Sequence, residues 1–238
     1  MTTEETQLKI VLPGDIIPTN EPSEENEAKP IIRLGPGLLH AQDSVVSVSA
    51  GILQHHNVGN RWWVDNNKKR YVPALGEPVI GIITGKHAES YRVDIGSAQP
   101  AMLPALAFEG ATRRNKPNLN VGSLVYARVS LANKDMEPEL ECVNPTTGKG
   151  EGYGELKDGY MFKCSLGLCR KLLNPKSPVL VALGSHFPFE TAVGMNGRVW
   201  VNSTDTQRII LLTNAVKNSE YLNEKQIKEM VKELVHRL

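Results

Sequence analysis

Five short apolar runs between residues 79 and 143 constrain the fold more than any other feature of the chain. They read "VIGIITGKH", "ESYRVDIG", "PAMLP", "SLVYARVSLA" and "PELECV". Each is rich in β-branched residues and bounded by Gly, Pro, Asn or Ser, the pattern of short strands separated by turns. The connection between the third and fourth runs is long, and the others are short. Five strands with one long connection at that place outline an OB-type barrel.

The flanks differ from this centre. Pro73 and Pro78 punctuate its start, and "NPTTGKGEGYGE" forms a Gly-rich linker after it. Before it lie "LKIVLPGDII", "IIRLGPGLLHAQ", "SVVSVSAGILQHH" and "RWWVDNN", again short β-runs. The acidic, Pro-flanked "PTNEPSEENEAKP" among them is too polar to bury and is expected to be mobile. Trp62 and Trp63 are adjacent, so on a strand they face opposite sides, either one toward a core and one toward an interface or both as half-buried strand residues. The start, "MTTEETQLKIVLPGD", reads as acidic and then strand-like, which does not suit a secretory or transit peptide.

After the linker the periodicity changes. "YMFKCS" reads as a strand, "LGLCRKLL" and "PVLVALGSH" as short helices around "NPKS", and "FETAVGMNGRVWVNS" as a hairpin. Thr204 or Asp205 can cap a helix over "TQRIILLTNAVKN". In the last segment Ile227, Met230, Val231, Leu234, Val235 and Leu238 recur at helical spacing. The order β-α-α-β-β-α with an added helix is that of a KH fold. The expected fold is therefore mainly β with an α+β C-terminal part: an N-terminal β domain over residues 1–72, an OB-type barrel over 73–147 and a KH domain over 148–238.

KH modules grip RNA with a GXXG loop, and "GMNG" at 194–197 has that spelling. Its position argues otherwise. The clamp of a KH module lies between the first two helices, where the second helix aims its N-terminal amides at phosphate. That connection here is Asn174 to Ser177, without glycine and with Pro175, which has no amide proton. "GMNG" lies between two strands and reads as a hairpin turn, with Asn196 and Gly197 supplying positive φ angles. Lys176 is the only basic group left in the clamp loop.

Charge excludes a globally basic nucleic-acid binder. The 238 residues hold 27 Lys/Arg against 26 Asp/Glu, and residues 1–72, 73–149 and 150–238 carry 7 against 9, 8 against 8 and 12 against 9. RNA binding must come from local patches or from partner chains. Cys142, Cys164 and Cys169 are too few and wrongly spaced for a zinc site, and their odd number does not suit a disulfide framework. Buried free thiols in a reducing compartment are expected. No run reaches the 18 or more apolar residues of a membrane span. The six histidines, His40, His55, His56, His87, His186 and His236, are scattered, with His55 and His56 placed at a surface strand end. No nucleophile elbow, P-loop or zinc-protease motif occurs, and no clustered acids suit a two-metal nuclease. The expectation is a chain without catalytic residues, metal or cofactor.

The stretches "VLPGDII", "LGPGLL", "KRYVPALGEPVIGIITG", "RRNKPNLNVGSLVYARV", "ELECV", "GYGELKDGYMF" and "GMNGRVWV" are spread in order over nearly the whole chain. Together they resemble the S1/KH cap subunits of the RNA exosome. The resemblance implies an N-terminal β domain, an S1 domain and a KH domain. It also implies a non-catalytic subunit seated on a ring of RNase-PH-like proteins, with other cap subunits and single-stranded RNA as partners. Gly194, Asn196 and Gly197 match the family's turn, which implies that it packs the KH domain against its neighbours.

The S1 segment departs from the general S1 pattern. Aligned on Val93-Asp94-Ile95, Ser90 stands at a glycine, Arg92 at an aromatic position and Pro104 at a histidine. Most of the base-stacking surface of such platforms is thereby missing. Tyr91 is open between a stacking residue and a core strand residue. Lys86 and His87 in the first inter-strand loop, with Arg113, Arg114 and Lys116 in "ATRRNKP", are the remaining basic groups. They suit either a solvated loop or sequence-independent phosphate contact. Lys86, His87, Tyr91, Arg92, Arg113, Arg114 and Lys116 are the candidate RNA-binding set.

The reading is a non-catalytic exosome cap subunit, which stabilises the ring and guides single-stranded RNA into it for 3'-to-5' processing and decay. Nucleus and nucleolus are its expected locations, with cytoplasm besides. The alternatives are a free-standing, sequence-specific S1/KH regulator and an RNA-processing enzyme. The missing GXXG and depleted aromatics count against the first, and the absent motifs against the second.

Overall fold

The computed structural model describes residues 9–18, 32–41, 44–56, 59–133 and 135–236. The acidic loop expected to be mobile falls outside them apart from Pro18, as does Leu238. The chain divides into two compact units, Met1–Asn67 and Lys68–Leu238.

Among the described residues, seven short strands build the first unit: β1 (Ile10–Val11), β2 (Ile16–Ile17), β3 (Arg33–Leu34), β4 (Leu38–Ala41), β5 (Ser44–Ser47), β6 (Gly51–His56) and β7 (Arg61–Asp65). They form one sheet in the order β1-β6-β7-β3 and another in the order β2-β5-β4. Alternate residues point inward, so Val11, Ile17, Leu38, Val45 and Val64 make a small core. Trp62 packs against this core, and both tryptophans are half-buried. His55 and His56 are exposed at the end of β6, and His55 stacks on Trp62 with ring centroids 4.0 Å apart.

In the second unit, β8 (Pro78–Lys86), β9 (Ser90–Asp94), β10 (Ala101–Pro104), β11 (Leu124–Leu131) and β12 (Glu139–Glu141) coincide with the five apolar runs. They close into a barrel in the order β8-β9-β10-β12-β11-β8, with β10 and β12 parallel. Val79, Ile83, Val93, Ile95, Leu103 and Val125 fill it. A sixth strand, β13 (Gly154–Leu156), pairs with β11. The Gly-rich segment expected as a linker thus ends as part of the barrel sheet.

The remaining elements are β14 (Tyr160–Lys163), α1 (Leu166–Leu172), α2 (Pro178–Gly184), β15 (Glu190–Gly194), β16 (Arg198–Asn202), α3 (Thr206–Asn218) and α4 (Glu224–His236). This is the KH order, with an antiparallel sheet arranged β14-β16-β15 and one added helix. Ser165 caps α1 by accepting from the Leu168 amide, and Asp205 rather than Thr204 caps α3 through the Gln207 amide. The apolar stripe of α4 buries Ile227 and Val231 against α2 and α3. Among the described residues no helix is long and apolar enough to cross a membrane.

All three cysteines are free thiols. Burial pushes the Cys142 thiol up to about 12. Cys164 and Cys169 lie Sγ to Sγ at 3.2 Å as a thiol–thiol hydrogen bond.

Candidate nucleic-acid interface

Two loops meet at one rim of the barrel. The first joins β8 to β9, with Lys86 at the end of β8 and His87 in the loop itself; the second runs from β10 to β11 and carries "ATRRNKP". Side chains lace them together. Lys86 Nζ donates to Asn118 Oδ1, and Lys116 Nζ donates to the Ala88 carbonyl at 3.2 Å. In the second loop Thr112 and Asn115 exchange backbone hydrogen bonds of 3.0 and 3.1 Å, making a tight turn with Arg113 and Arg114 at its tip. Both arginines are exposed, with no ion pair or hydrogen bond among the described residues. Two guanidiniums on a braced turn form a charge-reading tip, able to meet phosphates without distinguishing bases.

The other candidates divide. Arg92 points outward from β9 and sits 3.5 Å from Glu137, both side chains about half-exposed (54% and 48%). His87, Arg92, Met102 and Glu137 border a shallow groove of about 220 Å³ on the outer face of β9 and β10. Tyr91 needs a correction as a stacking candidate. Its ring is only 3% exposed inside the barrel core, and its hydroxyl donates to the Pro117 carbonyl at the root of the second loop. It braces the loop from beneath and leaves no ring face for a base. The alternation Tyr91, Val93, Ile95 carried that signal, since residues two apart on a strand share a face.

The KH part has no phosphate clamp at the usual place. Pro175 and Pro178 have no amide proton. The Lys176 amide is spent on Asn174 Oδ1 at 3.1 Å, and the Ser177 amide on the Asn174 carbonyl at 2.9 Å. The loop is folded onto itself, with its donors turned inward.

The turn at 194–197 is structural, in a way the sequence pattern only partly conveys. Gly197 has φ +76°, but Asn196 is not in a positive-φ conformation. The loop has three residues closed by a left-handed glycine, one of the common hairpin forms. The buried Asn196 side chain serves instead as a surrogate strand. Its Oδ1 accepts from the Ile80 amide at 3.2 Å, and its Nδ2 donates to the Ile80 and Ile95 carbonyls at 2.8 and 2.9 Å. Gly194 must lack a side chain, because a Cβ there would lie 2.3 Å from Asn196 Oδ1 and 2.8 Å from the Ile80 nitrogen.

Arg198, absent from the sequence-based candidates, completes the clasp. Its side chain is 5% exposed and reaches Asp94 Oδ2 at 2.7 Å and the Asp94 carbonyl at 2.6 Å. Burial acts to raise the Asp94 carboxyl, but the Gly96 amide and the Arg198 guanidinium outweigh it and hold the group below its ordinary value. Ile80, Ala192 and Trp200 seal the same junction, with Leu124, Tyr126 and Met161 against them. The KH hairpin thus packs on the barrel of its own chain. No local signal announces Arg198, since its partner lies 104 residues away.

Comparison with known proteins agrees with this architecture. Residues 32–70 match the family described as "Exosome complex exonuclease Rrp40 N-terminal domain", residues 71–154 match "Exosome complex component RRP40, S1 domain", and residues 159–207 match "KH domain". The chain is 50% identical to exosome complex component rrp40 of Schizosaccharomyces pombe, covering 99% of this chain and 98% of that protein. It is 46% identical to exosome complex component RRP40 of Drosophila melanogaster, covering 89% of each. Against exosome complex component RRP40 of Homo sapiens identity is 41%, over 84% of this chain and 74% of that protein. With relatives this similar along most of their length, and with family models matching the N-terminal domain, barrel and KH fold in one chain, the protein belongs to the RRP40 family of exosome complex components.

Proposed function

We infer that the protein is a non-catalytic RNA-binding cap subunit of the exosome, guiding single-stranded RNA toward a nuclease held by other chains. The observation that carries the RNA contact is the braced tip formed by Arg113 and Arg114 beside Lys86 and Lys116. It offers charge without base-edge or stacking recognition, which suits an RNA path used by many sequences. The buried Tyr91 and the self-bonded Asn174–Ser177 loop disfavour a sequence-specific regulator, and the relatives named above offer that alternative no support.

Modest binding by one subunit suffices when neighbouring surfaces share the ligand, because effective concentration replaces intrinsic affinity. Ring subunits of RNase-PH type and the other cap subunits are the proposed contacts. Nucleus and nucleolus, with cytoplasm besides, are the proposed locations.

Native purification followed by mass spectrometry, with ultraviolet crosslinking to RNA on the same material, tests this reading. It predicts a stoichiometric complex in which RNA crosslinks map to the barrel rim, and a purified single chain that leaves RNA intact. Isolation as a monomer overturns the subunit role. RNA cleavage by the pure chain, abolished by a point substitution within it, overturns the non-catalytic role.

A further inference from the structure

In the KH part, α2 and α4 border an open groove of about 510 Å³. Its floor is aliphatic, made by Pro175, Pro178, Val181 and Ala182 with Val231 from α4. Val181 is 61% exposed, an aliphatic side chain left open to solvent on α2. The rim is cationic. Lys228 and Lys232 are four residues apart and therefore share one face of α4, and Lys176 rises from the loop before α2. All three are exposed, and none of their ammonium groups has an ion pair or hydrogen bond among the described residues. Glu224 is the one carboxylate on the lining.

This combination selects its occupant. RNA bound in a groove gains most from aromatic stacking and from arginine, and this lining contains no Phe, Tyr, Trp or Arg, His186 being its one ring. An aliphatic floor gains instead from an aliphatic side chain, and three lysines against one glutamate complement a negatively charged segment. We propose that the α2–α4 groove is a docking site for a short segment of another protein, in which one aliphatic anchor residue is flanked by carboxylates. The anchor covers Val181, and the flanking acids meet Lys176, Lys228 and Lys232. This is the helix- or strand-in-groove mode of peptide capture. It rests on membership of a multi-chain complex and is independent of the RNA path at the barrel rim.

The test uses the assembled complex. A photo-crosslinking residue, p-benzoylphenylalanine, replaces the exposed Val181, and co-purification and melting temperature are read before irradiation. Failure of the unsubstituted chain to co-purify would count against the subunit reading, whereas loss confined to the probe-bearing chain would show that a partner covers Val181 and so support the groove. Mass spectrometry of the crosslinked peptide should then show a segment of another chain with Asp or Glu on both sides of Leu, Ile, Val or Met. Combining the probe with Lys228→Glu and Lys232→Glu should cut the crosslink at least tenfold, with the complex and its melting temperature unchanged. A crosslink to RNA, to a second copy of this chain, or to a neutral or basic segment overturns the proposal. So does a crosslink that survives the charge reversal, or no crosslink at all.

Discussion

Gly197 shows how one residue can be fixed twice. Its φ of +76° excludes β-branched side chains on backbone grounds, and a Cβ there would lie 2.8 Å from the Cys164 carbonyl oxygen. Gly197→Val should therefore cost about 1–3 kcal/mol from strain alone, with the clash against Cys164 in addition. The check is a thermal melt alongside RNA binding by the folded fraction, and RNA affinity per folded molecule should be unchanged. Asp94 makes a pH-dependent contribution. Its folded carboxyl lies below its ordinary value of about 4. A lowered acid stabilises the fold fully above its unfolded pKa and loses that effect as pH falls through the folded value. Asp94→Asn should accordingly destabilise the protein at neutral pH, and its deficit should shrink toward zero on acidification below about pH 4. Denaturant melts of both proteins across that range measure it; a deficit that stays constant with pH would mean that the carboxylate charge contributes nothing, and no deficit would assign Arg198 to the Asp94 carbonyl alone.

At the scale of elements, the rim loops and the barrel beneath them respond differently to change. Arg113, Arg114 and Lys116 are exposed on a turn whose own backbone bonds hold it, while Leu119 and Tyr91 below belong to the core. Replacing the three basic residues together with alanine should leave melting temperature and assembly intact and reduce RNA crosslinking at the rim. The slope of log affinity against log salt should fall by roughly 0.7 for each phosphate of a single strand that is no longer neutralised. Release from the complex before RNA is added would instead make the loop a protein-docking element. Unchanged crosslinking and slope would leave it a solvated turn. The five barrel strands and the KH order were legible in the sequence because apolar alternation and turn residues are local signals. Strand β13 was not, since Gly154, Glu155 and Leu156 form no apolar run and become a strand only by pairing with β11. The clasp was hidden for a related reason. The spelling of the turn suggested two special φ angles, whereas Asn196 acts through partners more than a hundred residues away.

At the scale of the whole molecule, barrel and KH part behave as one body because the junction between them is built like a core. Trp200 is 5% exposed at that junction, and its indole donates to the Asp158 carbonyl at 2.9 Å. Trp200→Ala should cost about 3–5 kcal/mol, as large buried aromatics do. Its effect should cross the junction: hydrogen exchange at the β8 amides should quicken along with that of β16. Faster exchange confined to the KH strands would mean that the two parts are only loosely joined. The same long-range clasp puts a clock into biosynthesis. Ile80 leaves the ribosome 116 residues before the asparagine that will satisfy it. At about 5–20 residues per second this is an interval of about 6–23 s. The barrel can close only once β12 has been made, and from then until Asn196 arrives the Ile80 amide and carbonyl and the apolar patch of Ile80, Leu124 and Tyr126 stay uncovered. A transcript cut short anywhere between the end of β12 and Asn196 would yield a product carrying that patch permanently, a handle by which chaperones and proteases can tell an unfinished chain from a finished one.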